Sequence, residues 1–102
     1  MAASPTSQPV AVITGITGGF GSALAAAYAR ARFRIYGLYR SAERQAGDLM
    51  AEFPGQVQVY CADVGSSSEM ANAAGHLRQL WGRADVLVNN AGITRDALLV
   101  RQ

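Results

Sequence analysis

The chain has 102 residues, of which half are hydrophobic and 16% are charged. That length holds one domain or part of one, and that composition can bury a core and is not that of a disordered chain. A net charge of +2 makes no case for a nucleic-acid or membrane surface, so neither partner is expected, and no apolar run approaches the ~20 residues of a membrane span.

The opening "MAASPTSQP" lacks both the apolar core of a secretory signal and the arginines of a transit peptide, and reads as a flexible lead over residues 1–9. "VAVIT", Val10 to Thr14, is the first apolar run rich in β-branched residues. A helical period follows, in which Phe20, Leu24, Ala27, Tyr28 and Ala31 share one face. "RIYGLYR", Arg34 to Arg40, reads as the second strand. Ala42, Ala46, Leu49, Met50 and Phe53 repeat the helical spacing behind Ser41, a plausible N-cap. Pro54-Gly55 punctuates the join into the third strand, Gln56 to Val64. In the third helix Met70, Ala73, Ala74, Leu77, Leu80 and Trp81 line up behind Ser66. Ser66 with Glu69 forms a capping box, and Gly82 is placed to end the helix. The fourth strand, Ala84 to Asn90, buries Val86, Leu87 and Val88, and opens into the polar turn Asn89-Asn90-Ala91-Gly92.

Strands alternating with helices of this length predict an α/β fold: a parallel sheet with helices on both faces, joined by right-handed crossovers. Nothing in the sequence divides it by a repeat or a linker.

"TGITGGFGSALAAAY" follows the first strand directly. Gly15 permits a tight turn, Gly19 lets backbone N–H groups approach a pyrophosphate, and Gly21 lets the helix pack close to the sheet. Phosphates would rest on the positive end of the first helix. A merely glycine-rich turn is the bland alternative, weakened by the flanking strand and helix. A P-loop is excluded, because that motif needs a lysine and all nine basic residues here are arginine.

Three motifs in order, Thr14-Gly-x-x-x-Gly-x-Gly21, Asp63-Val64 closing the third strand and Asn89-Asn90-Ala91-Gly92 closing the fourth, resemble the short-chain dehydrogenase/reductase family. The tail "GITRDALLVRQ" is similar to that of the 3-oxoacyl-[acyl-carrier-protein] reductases and related carbonyl reductases. The resemblance runs from about Val10 to the end and covers the first part of a family member, normally ~250 residues forming one Rossmann domain. It implies strands one to four, with three helices, of a Rossmann-like three-layer sheet, and a partial NAD(P)-binding domain over residues 10–102.

By that resemblance Gly15, Gly19 and Gly21, with Thr17 and Phe20 of the same loop, hold the dinucleotide pyrophosphate. Asp63 contacts the adenine and Val64 adds a backbone contact. Asn89 ties the central strands together and faces the adenosine ribose, which Ala91 and Gly92 also approach. Asn90 is left as a shaper of the turn. An NAD enzyme needs a carboxylate at the end of the second strand; here Leu38-Tyr39-Arg40-Ser41 offers none. Arg40 beside Ser41 suits a 2′-phosphate, so NADP(H) is the expected cofactor. Many NADP-using relatives also carry a basic residue inside the glycine loop, and Thr17-Gly18 offers none.

The reaction the family implies is hydride transfer to a carbonyl, with a Tyr-x-x-x-Lys pair and a serine as catalytic groups. No lysine is present, and Tyr28 followed by Arg32 is no substitute, so no catalytic residue is assigned. The expectation is the cofactor-binding half of an NADPH-dependent ketone reductase of fatty acid biosynthesis, its acyl thioester or carbonyl substrate bound only with the missing half. Such a chain is a fragment, a truncated isoform or one piece of a split protein, oligomeric in full-length form. The alternatives are a non-catalytic nucleotide-binding or scaffold subunit, and a defective fragment. The only cysteine, Cys61, excludes an internal disulfide. It reads as a buried small hydrophobe and places the protein in a reducing compartment, cytoplasmic or the mitochondrial matrix. His76 reads as a surface or boundary residue, Trp81 as core or rim, and Arg30, Arg32 and Arg34 as ordinary solvated charge.

Overall fold

The computed structural model describes residues 7–91. Seven elements alternate: β1 (Val10–Thr14), α1 (Gly19–Arg30), β2 (Arg34–Tyr39), α2 (Glu43–Glu52), β3 (Val57–Cys61), α3 (Ser67–Leu80) and β4 (Val86–Val88). All strand pairs are parallel, in the order β3-β2-β1-β4. The chain therefore winds outward from β1 to β3 and then returns to the other side of β1 for β4. That reversal opens a crevice at the carboxyl ends of the central strands.

Side chains alternate across the sheet, and the two faces take different helices. Ile13, Ile35 and Val57 pack with Ala25, Ala29 and Leu49 of α1 and α2. Val10, Val12, Tyr36 and Leu38 pack with Ala73 and Leu77 of α3 and with its C-cap Trp81. Helices on both faces make three layers, as the alternation of elements requires.

Several local expectations are corrected. The buried face of α1 is Gly21, Ala25 and Ala29, about one residue round from the expected one. Leu24 and Tyr28 flank it half-buried, whereas Phe20, Ala27 and Ala31 are exposed. The helix comes so near the sheet that only small residues fit between. Ser41 does not cap α2: the N-cap is Ala42, in a left-handed conformation (φ 68°) with no side-chain cap. Ser66 caps α3 by accepting from the Glu69 N–H (3.3 Å), but the Glu69 carboxylate passes beyond it and accepts from the Asp63 N–H (2.7 Å). Gly82, at φ 73°, turns the chain out of α3. Cys61 ends an edge strand and is exposed, its thiol directed at the Arg40 carbonyl (3.8 Å). Leu87, read as buried, is 68% exposed. It pairs with Val12 at the sheet's edge, on the face that α3 covers farther in.

Gln8 and Pro9, placed in the lead by sequence, are tied to the start of β2. Gln8 donates to the Arg32 carbonyl (3.0 Å) and accepts from Arg34 Nε (3.0 Å), and the Arg34 N–H donates to the Pro9 carbonyl (2.8 Å). On the other side of β1, Asp85 accepts from the Val10 N–H (2.8 Å) and pairs with Arg83. The Arg83 guanidinium and the Val10 N–H together hold the Asp85 carboxyl below the usual carboxylate range. Among the described residues no helix is long and apolar enough to cross a membrane.

Candidate functional site

At the carboxyl ends of the strands lies a cleft of about 350 Å³. Of the residues expected at a site, Gly15, Thr17, Arg40, Ser41, Asp63, Val64 and Ala91 line it. Each arrives there because the loop after a parallel strand opens at the same end of the sheet. Gly19, Phe20, Gly21 and Asn89 do not line the cleft; Gly92 lies outside the described residues.

The glycine loop is built by close approach. Gly15 stands at φ 67°, in the region that favours glycine. A Cβ there would meet Ala91 Cα at 3.0 Å and Asn90 Nδ2 at 3.1 Å. A Cβ on Gly21 would stand 2.1 Å from the Gly15 carbonyl oxygen and 2.9 Å from Ile16 Cα, so α1 is seated on the loop by an absent side chain. Gly19 differs from both. It is neither left-handed nor crowded, because a Cβ there meets nothing within 4 Å. Neither packing nor conformation asks for glycine at the first residue of α1. The first hydrogen bond of that turn runs from the Ser22 N–H to the Gly18 carbonyl (2.8 Å), so the N–H groups of Gly19, Phe20 and Gly21 precede it. Phe20 is 57% exposed beside them.

The turn after β4 is latched to this loop. The buried Thr14 hydroxyl accepts from the Ala91 N–H (2.9 Å) and lies 3.3 Å from Asn89 Oδ1 and 3.4 Å from the Val88 carbonyl. Asn89 thus joins β4 to β1 through its side chain. Asn90 Nδ2 donates to the Gly15 carbonyl (3.0 Å) and lines the cleft. Sequence reasoning left Asn90 as a turn former and assigned Thr14 no contact. Their partners are backbone groups some 75 residues away, which no local pattern encodes.

The other wall is polar. The Arg40 side chain is exposed and makes no ion pair among the described residues. Thr17 donates to the Ser41 carbonyl (3.4 Å), joining the glycine loop to the end of β2. Asp63 Oδ1 accepts from the Gly65 N–H (2.9 Å). Tyr39 also lines the cleft. Partial desolvation, with Glu43 and Cys61 nearby, pushes its phenol above the ordinary tyrosine value, so it stays neutral near pH 7. Among the described residues no group of three or more His, Cys, Asp or Glu is placed to hold a metal ion. The cleft therefore offers an arginine, a carboxylate and a glycine-rich backbone that includes Gly18, the N-cap of α1, a set suited to an anionic nucleotide.

Comparison with known proteins agrees with that chemistry. A family profile described as short chain dehydrogenase matches residues 9–101. The chain is 37% identical over 103 residues to the 3-oxoacyl-[acyl-carrier-protein] reductase FabG of Thermotoga maritima, covering 90% of this chain and 38% of that protein. It is 40% identical over 98 residues to FabG of Pseudomonas aeruginosa, with the same coverage of each. Among solved structures, the NADPH-dependent 3-quinuclidinone reductase of Rhodotorula rubra superposes with a TM-score of 0.67 at 32% identity, covering 82% of this chain and 32% of that one. The chain thus spans well under half the length of these relatives. A profile match over nearly the whole sequence places the chain in the short-chain dehydrogenase family.

Proposed function

We propose that residues 10–102 are the cofactor-binding part of an NADPH-dependent ketone reductase whose substrate is a 3-oxoacyl thioester or a related carbonyl. The observation that carries the reading is the cleft at the carboxyl ends of the strands, where the backbone of the glycine loop meets Arg40 and Asp63, a combination suited to the pyrophosphate and adenosine end of a dinucleotide. In this reading the loop from Gly15 to Gly21 receives the pyrophosphate, with Thr17 and Phe20 at its sides. Asp63 and Val64 receive the adenine, and Asn89, Ala91 and Gly92 the adjoining ribose. Arg40, exposed at the cleft wall with Ser41 beside it, binds the 2′-phosphate by charge-assisted hydrogen bonds, and no carboxylate stands at the end of β2 to prefer NADH.

The bound nicotinamide nucleotide supplies the hydride. The chain's part is to bind and orient that nucleotide, because without a lysine it cannot form the proton-donating Tyr-x-x-x-Lys pair. Those groups come from outside these 102 residues, in an oligomeric cytoplasmic enzyme whose FabG relatives are named for reduction of carrier-bound 3-oxoacyl groups.

The test is cofactor choice. Charge-assisted hydrogen bonds contribute about 1.5–3 kcal/mol. Tyr39→Asp with Arg40→Ala should therefore shift the ratio of NADPH to NADH affinity, read by calorimetry, about 10- to 100-fold toward NADH. An unchanged ratio would remove Arg40 from the site and the preference for NADPH with it.

A further inference from the structure

Among the described residues the sheet ends at β3, and that edge carries none of the devices that keep an edge strand from pairing. Val57–Cys61 keeps an unbroken parallel register with Ile35–Tyr39, so there is no bulge. From Gln56 to Ala62 the sequence holds no charged residue and no proline. The Ile35 N–H donates to the Gln56 carbonyl (2.8 Å) and the Ala62 N–H to the Tyr39 carbonyl (2.9 Å). Even-numbered residues thus face β2, and Val57, Val59 and Cys61 turn their backbone groups to the open side. The Phe53 carbonyl takes the Val57 N–H (3.1 Å). The Val57 carbonyl, both Val59 groups and the Cys61 N–H have no partner among the described residues.

We propose that this edge pairs with the same edge of a second copy of the chain, antiparallel about a two-fold axis at Val59. Spacing sets the arrangement. With Val59 opposite itself, its N–H and carbonyl bond to those of its counterpart in both directions, and each Cys61 N–H meets the other copy's Val57 carbonyl. Every open donor and acceptor just named is then used. The side chains suit the same register. Val57, Val59 and Cys61 share the face toward α2 and bring small apolar groups together, whereas Gln58 opposes the second copy's Tyr60 on the face toward α3. No like charges meet. A foreign peptide would gain the same ladder but would have to match these side chains by its own sequence; a second copy matches them by symmetry. None of the five residues of β3 lines the cofactor cleft, so the pairing stands independently of the dinucleotide reading.

Cross-linking reads the register. Val59→Cys in a Cys61→Ser background sets two thiols opposite each other with Cα atoms about 5.5 Å apart, within disulfide range. Mild oxidation should join most of that variant into a covalent dimer. The unsubstituted protein is the control: its two Cys61 residues would lie roughly 14 Å apart and should stay free. Charge reads the same axis. Val59→Lys and Val59→Glu each set like charges against each other, so sedimentation should show each variant dimerising about 10-fold more weakly, and a one-to-one mixture should recover the affinity. Where circular dichroism shows that a charged variant fails to fold, the cross-link, made with a small neutral residue, decides. Leu87→Lys, on the opposite edge of the sheet, should leave dimerisation unchanged. A protein that stays monomeric at about 1 mM, oxidation that joins copies through Cys61 as readily as through the Val59→Cys thiol, or a dimer lost on Leu87→Lys and kept on Val59→Lys would each overturn the pairing.

Discussion

The two faces of the sheet are built on opposite principles. Toward α1 and α2 the structure is held by what is missing: Gly21, Ala25 and Ala29 let the helix down onto the loop, and Gly37 leaves room for Ile16, whose Cδ1 would stand 2.1 Å from a Cβ at that position. Toward α3 it is held by bulk. Tyr36 stacks near Tyr60 (6.3 Å between ring centroids) and meets Trp81 edge-on (6.4 Å). Tyr60 in turn stacks on His76 (5.0 Å), and Arg34 sits 5.4 Å over Trp81. The difference is local to the glycine loop: the start of α1 is seated against the Gly15 carbonyl and Ile16 Cα, where no side chain fits, whereas farther along the same face Tyr28 meets Phe33 edge-on (4.9 Å between ring centroids). The α3 face fills its space with rings.

The sharpest way to break that contrast is to add one carbon on the close-packed face. Gly21→Ala sets a methyl against the Gly15 carbonyl and Ile16 Cα, both backbone, so the helix must lift. Overpacking of this kind costs about 3 kcal/mol or more, and thermal unfolding followed by circular dichroism should show a midpoint lower by roughly 10–20 °C. A midpoint within ~2 °C of the original would mean that α1 is not seated as described.

Gly37→Ala sharpens the same idea, because its clash is with a side chain. Alone it should cost about 2 kcal/mol. In an Ile16→Ala background, where the obstructing atoms are gone, the same change should cost at least ~1 kcal/mol less. Additive effects in denaturant titrations would show that the two residues do not share that space.

The ring-filled face should respond least. The Tyr36 hydroxyl lies 2.6 Å from His76 Nδ1 and 3.3 Å from the Ala73 carbonyl. Tyr36→Phe removes those contacts and leaves the packing, so it should cost about 1 kcal/mol near neutral pH. Burial, with Tyr60 nearby, raises the Tyr36 phenol above its ordinary value. The sign follows from linkage. The folded state keeps a proton that the unfolded state gives up above about pH 10, so this contribution is complete below that pH and declines above it. Stability of the unsubstituted protein should therefore fall more steeply above about pH 10 than that of Tyr36→Phe. Parallel curves would place the phenol in water.

Much of this architecture was legible in the residues alone. The alternation of β-branched runs with helical periods named every element, and Gly15, Gly21 and Gly82 marked turns or contacts where the chain does need glycine. Arg40, Asp63 and Ala91 were expected at one site and line one cleft. Strand ends were less legible: the third, expected over Gln56 to Val64, pairs only over Val57–Cys61, because apolar character continues past the last ladder bond.

What tertiary structure decided were quantities that depend on a partner distant in sequence. The face of α1 is chosen by how near the sheet lies, which periodicity cannot express when alanines occupy several faces. Cys61 and Leu87 have apolar neighbours in sequence, yet both are exposed, because the sheet ends at β3 and β4 among the described residues. Ser41 is a good capping residue passed over for Ala42, in a segment whose Ser41 carbonyl accepts from Thr17 of the glycine loop. The partners of Asn89 and Asn90 are decided only when β4 is set beside β1. Adjacent residues there face different neighbours, one a threonine hydroxyl and the other the Gly15 carbonyl. Local order follows from each residue's own torsional and hydrophobic preferences, which can be read one segment at a time. The separate contacts of Asn89 and Asn90 run across some 75 residues and exist only after the sheet has formed.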